Sequence, residues 1–83
     1  MSIKKLNYLI DKALQDGELR PGADPRTNIL NAEFALGKYF GLLFVIRDLY
    51  GIDEMIKTKE RTEYLVDELT ERANAIYQWR SNK

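Results

Sequence analysis

Apolar positions recur along this chain with the 3.6-residue period of an α-helix, and three segments carry it. In the first, Ile3, Leu6, Ile10, Ala13 and Leu14 share one face; Ser2 is placed to cap its start and Gly17 to end it. Residues 17–24 hold two of the five glycines and one of the two prolines, so they read as a loop. Asp24-Pro25 then supplies an N-cap followed by proline at the first helical position, where a missing N–H costs nothing; Thr27 is an alternative cap. The pattern predicts a second helix over about 25–50, ended by Gly51, and a third over about 53–80, capped by Asp53. The third carries an apolar stripe, Met55, Thr62, Leu65, Val66, Leu69, Ala73 and Ile76, with Glu60, Glu63, Asp67 and Glu71 on the opposite side. No alternating strand pattern of useful length appears.

A connection as short as Gly51-Ile52 makes the second and third helices antiparallel neighbours. The expected fold is therefore all-α and a single helical domain over 1–83. A long antiparallel hairpin (about 25–50 and 53–80) with a shorter N-terminal helix (about 3–16) forms a three-helix bundle completed by dimerisation. The dimer enters through a mismatch. Counting outward from the turn sets Phe44 level with Lys59, Phe40 with Glu63 and Gly37 with Val66. The second helix is thus most apolar at 40–46, where the third is most polar. A helix apolar on nearly every side needs at least two neighbours. If the 17–24 loop is compact, the first helix lies beside the other half of the hairpin, near Ile29–Leu36 and Leu65–Ile76. If the loop is extended, the first helix reaches across; otherwise another chain must supply the cover.

Gly37 and Gly41 sit inside this helix, each costing up to about 1 kcal/mol relative to Ala, and invite a packing reason. They serve either internal contact with the first or third helix, or the close crossing of another backbone. Gly37, Phe40, Gly41, Phe44 and Val45 are the expected dimer interface. The acidic row Glu60, Glu63, Asp67 and Glu71, with Tyr64 and Tyr77, is a secondary candidate partner surface, although such rows are ordinarily solvated. Glu68 and Arg72 have the spacing of an i,i+4 pair.

Composition narrows the chemistry. Thirteen basic side chains balance thirteen acidic ones, and there is no His and no Cys. Thiol and imidazole catalysis, disulfides and ordinary structural zinc are excluded. Residues 17–22 have glycines at both ends, but Ala23-Asp24 follows instead of Lys-Ser/Thr, so no phosphate loop is present. A helical di-metal site lacks its Glu-x-x-His pairs. Glu33 is the acid best placed to approach the core, yet no nucleophile–base pair accompanies it. The expectation is no enzyme, no cofactor and no metal.

A helix-turn-helix reading, with the turn at 49–52 and Lys57, Lys59 and Arg61 on the following helix, is the alternative. It would put Lys57 and Glu60 where that motif packs inward, and the zero net charge argues against nucleic acid. The apolar stretch 34–46 is thirteen residues long and contains Lys38, too short as a helix for a membrane span. Asn7 and Asp11 interrupt the apolar N-terminal stretch, so a secretory signal is not expected and a cytoplasmic location is. Together these features predict a small accessory protein that binds protein: an adaptor, assembly factor or inhibitor of a protein target, working as a homodimer.

Overall fold

The computed structural model describes the backbone of residues 1–81 and the side chains of residues 1–75. It is an all-α bundle of three helices, α1 (Ile3–Asp16), α2 (Pro25–Tyr50) and α3 (Ile52–Ser81), with no strand among the described residues.

Local chemistry explains the boundaries. The Ser2 hydroxyl accepts the Lys5 backbone N–H at 3.1 Å, which starts α1. The Asp24 carboxylate accepts the Arg26 N–H at 2.8 Å ahead of α2, with Pro25 at its first position. Gly51 closes α2 and opens α3 together. Its φ of 98° lies in the left-handed region, its N–H donates to the Arg47 carbonyl at 3.0 Å, and its own carbonyl accepts the Met55 N–H at 3.3 Å. α3 therefore begins one residue earlier than expected. Asp53 is not its cap but lies with Glu54 in its first turn, where negative charge favours the helix dipole.

The core is assembled from Leu6, Ile10 and Leu14 of α1, Ala32, Ala35, Tyr39, Leu43 and Ile46 of α2, and Leu69 of α3. Along the hairpin, the Tyr39 hydroxyl meets Thr62 Oγ1 at 2.7 Å in a buried contact. Because Thr62 donates its only hydroxyl proton to the Thr58 carbonyl at 2.7 Å, Tyr39 is the donor in the first bond. Burial raises the Tyr39 pKa above 10.0; the Thr62 hydroxyl, which can turn to donate to a phenolate, and the Arg61 charge oppose that rise.

The position of α1 corrects the compact-loop expectation. α1 runs back along the second half of α2: the Tyr50 hydroxyl donates to the Met1 carbonyl at one end, and Asp16 pairs with Lys38 at 3.7 Å at the other. Two contacts far apart in sequence determine this path. Asn28, almost fully buried, grips the loop with both side-chain amide atoms: its Oδ1 accepts the Arg20 N–H at 3.0 Å and its Nδ2 donates to the Arg20 carbonyl at 3.3 Å. The loop is thereby drawn out along the first turns of α2 and cannot fold back under α1.

Gly17 supplies the second contact. A Cβ there would stand 2.7 Å from Ala35 Cβ and 2.8 Å from Leu69 Cδ2. Its φ is −90°, so close approach, not a left-handed backbone, is what requires glycine at the end of α1. α1 touches α3 through polar groups: Asn7 Oδ1 accepts from Thr58 Oγ1 and Arg61 Nη2, each at 3.1 Å, and Arg61 Nη1 reaches Asp11 at 2.8 Å.

Candidate interaction surface

With α3 along one flank of α2 and α1 along another, the third side of α2 is left facing outward. Its buried positions, Asn28, Ala32, Ala35, Tyr39, Leu43 and Ile46, lie on one arc. On the opposite arc are Leu30, Phe34, Gly37, Gly41, Phe44 and Val45, with Phe40 at its edge. Phe34 is 66% exposed, Phe44 52%, Phe40 45%, Leu30 41% and Val45 39%. Gly37 and Gly41 lie between the phenylalanines, and a Cβ built on either would meet nothing within 4 Å. Internal packing therefore does not explain these two glycines. The structure places Gly37, Phe40, Gly41, Phe44 and Val45 on one continuous outer surface, and α1 covers only the flank of residues 40–46 that contains Leu42, Leu43 and Ile46.

Leu30 and Phe34 extend the surface toward the start of α2 and were not singled out from the sequence. A signal for them was present, since 30, 34, 37, 41 and 44 follow alternating steps of four and three, the spacing of a helix seam. Charge is sparse here. Glu33 stands at one margin, exposed and without an ion pair among the described residues. Near the other end, Arg47 lies with its guanidinium carbon 5.0 Å from the Phe44 ring centroid and its Nε 3.6 Å from Asp48 Oδ1.

The secondary candidates occupy a different place. Glu60, Glu63, Tyr64, Asp67 and Glu71 are all exposed on α3, Tyr64 at 81%. Three of the acids, with Lys59, rim a groove of about 410 Å³ between α2 and α3 whose floor includes Phe40, Ile56 and Val66. Tyr77 lies outside the residues whose side chains are described, as do Ile76 and Trp79. Leu65, expected on the apolar stripe, is half exposed; Thr58, on the helix that carries Lys57 and Lys59, is buried and takes part in the α1–α3 contact. Arg72 does not form the expected pair with Glu68; its Nε and Nη1 are buried without a hydrogen-bond partner.

The basic residues of the helix-turn-helix alternative are largely engaged within the chain. Lys57 pairs with Glu54 at 3.3 Å, and Arg61 is held by Asp11 and Asn7. The arms they would belong to are also antiparallel partners joined through one glycine, not two helices crossing steeply after a three- or four-residue turn. Among the described residues, no group of three or more acidic side chains converges as a metal site requires.

α2 as a whole is 26 residues long, and an 18-residue window of it averages a hydropathy of 1.5, enough by length and composition to cross a membrane. The apolar pattern extends the thirteen residues of 34–46 back through Ala32, Leu30 and Ile29. Glu33 and Lys38 lie within that stretch. Compared with family models, curated proteins and solved structures, the chain matches none.

Proposed function

We propose that this chain is a non-enzymatic protein–protein interaction module that self-associates through the outer face of α2, serving as an adaptor, an assembly factor or an inhibitor of a protein target. The observation that carries this reading is the continuous row of half-exposed large side chains from Leu30 to Val45, interrupted only by two glycines with open space above them. A row of this kind is the usual mark of a surface that meets another molecule.

Magnitudes support a reversible complex. The bundle is elongated, 44 × 24 × 18 Å, and exposes 5917 Å². A monomer of its mass exposes about 5,100 Å² by the usual scaling, and the excess is about what one partner buries in a standard interface. Burying the remaining half of five large side chains contributes roughly 1 kcal/mol each, hence roughly 10 kcal/mol for two copies. Association costs of about 4 kcal/mol and upward leave at most about 6 kcal/mol, so a dissociation constant of about 40 μM or weaker is expected.

Light scattering over a range of concentrations tests the reading. The wild-type mass should rise from 9.7 kDa toward twice that value. Phe44→Glu should hold the mass at the monomer while leaving helicity intact, because Phe44 touches solvent and not the core. A wild-type chain that stays monomeric at every concentration ends the self-association reading.

A further inference from the structure

The outer face of α2 has a property that decides how two copies would meet. Its seam residues are symmetric about position 39: Phe34 and Phe44 lie five residues either side, Gly37 and Gly41 two either side, and Leu30 and Asp48 nine either side. We propose that two copies pack with their α2 helices antiparallel across a two-fold axis beside residue 39, a proposal that rests on the self-association reading above. Such an axis places Gly37 opposite the second copy's Gly41, and Phe34 opposite its Phe44, twice over. This is the self-complementarity that an isologous interface demands.

The alternating four-and-three spacing matches helices crossing at about 20°, and the glycine pairs permit close approach at the centre. Phe40, at the margin of the seam, meets its own counterpart on the axis. A parallel arrangement would instead stack Phe34 on Phe34 and Gly37 on Gly37, and its Glu33 would meet the second copy's Lys38, a side chain already paired with Asp16 of its own chain.

Charge divides between the two margins: on one, Lys38 meets its own counterpart, each paired with Asp16 of its own chain at 3.7 Å, and on the other opposite charges meet. In the antiparallel seam the margin residues pair by levels that sum to about 80, so Glu33 of one copy faces Arg47 of the other. Glu33 has no ion pair among the described residues, and Arg47 is already extended over the Phe44 ring at the edge of the face. Two such pairs flank the axis. The occupant is therefore a second copy of this chain, because one sequence provides both halves of each match.

Orientation can be measured directly, since the chain has no cysteine of its own. Leu30→Cys and Asp48→Cys chains, mixed and treated with a short bismaleimide, should give a crosslinked heterodimer. Either variant alone should stay uncrosslinked, because its two copies of the same position lie roughly 27 Å apart along the antiparallel helices. In parallel, Glu33→Arg alone and Arg47→Glu alone should each weaken dimerisation about tenfold at low salt, and the double variant should recover to within about threefold of wild type.

Crosslinking of either variant with itself, in a chain that light scattering shows to be dimeric, overturns the antiparallel geometry and leaves self-association standing. Failure of the double variant to recover overturns it too. A monomer throughout removes both the geometry and the reading beneath it. Flotation of the chain with phosphatidylcholine–phosphatidylglycerol vesicles, in place of dimerisation, assigns the face to lipid and does the same.

Discussion

Replacing Gly37 and Gly41 together by Ala separates the stability of one chain from the strength of its association. Both glycines lie inside α2 with nothing within 4 Å of a built Cβ, so the substitutions introduce no clash within the chain. Each removes a helix-interior glycine and should stabilise the isolated bundle by about 0.8–1 kcal/mol, chiefly by restricting the unfolded chain. The sum, close to 2 kcal/mol, corresponds to a rise in Tm of about 10 °C for a domain of this size. At a close helix crossing the same methyl groups work in the opposite direction. Four of them enter one seam, the helices must move apart, and the phenylalanines lose contact, so dimerisation should weaken at least tenfold. Urea unfolding below the dimer dissociation constant reads the first effect, and sedimentation velocity across concentrations reads the second. A double variant less stable as a monomer would mean that the glycines accommodate something inside the chain. Unchanged dimerisation would mean that the crossing lies elsewhere on α2.

Other expectations concern the interior. Gly17→Ala should destabilise the bundle by about 1–3 kcal/mol, because the new methyl group meets Ala35 Cβ, fixed to its backbone, and Leu69 in a closed niche; a urea midpoint equal to wild type would show that this niche can open freely. Tyr39→Phe should cost only about 1 kcal/mol at neutral pH, since Thr62 keeps its bond to the Thr58 carbonyl. The pH dependence follows from the raised Tyr39 pKa: the folded chain retains the phenolic proton where the unfolded chain begins to lose it, near 10.0, so the contribution is complete below that pH and declines above it. Urea midpoints measured from pH 8 to 11 should therefore fall more steeply for wild type than for Tyr39→Phe, and parallel curves would contradict a buried neutral phenol.

Much of the candidate surface could be read before any coordinates. A second helix apolar on nearly all sides cannot be covered by a single partner, and that alone brought Gly37, Phe40, Gly41, Phe44 and Val45 forward. Leu30, Phe34 and Arg47 do not stand out in the sequence because the densest apolar run, 40–46, masks the longer seam of fours and threes. The burial of two Arg72 guanidinium nitrogens and the exposure of Leu65 were not legible in the pattern. Residues near the edge of an amphipathic stripe are assigned by the neighbour they meet, and periodicity does not contain that neighbour.

The three helices, their limits to within a residue, and the hairpin follow from the sequence by itself. Each depends on interactions between residues a few positions apart: Ser2 with Lys5, Asp24 with Arg26, and the left-handed Gly51 at a one-residue joint. Tertiary structure alone decided where α1 lies, and through that which side of α2 is left bare. The loop path depends on Asn28 holding the backbone of Arg20, and the end of α1 on Gly17 fitting between Ala35 and Leu69. The Gly17 contacts join residues eighteen and fifty-two positions apart, and contacts of that range form only when whole helices have come together.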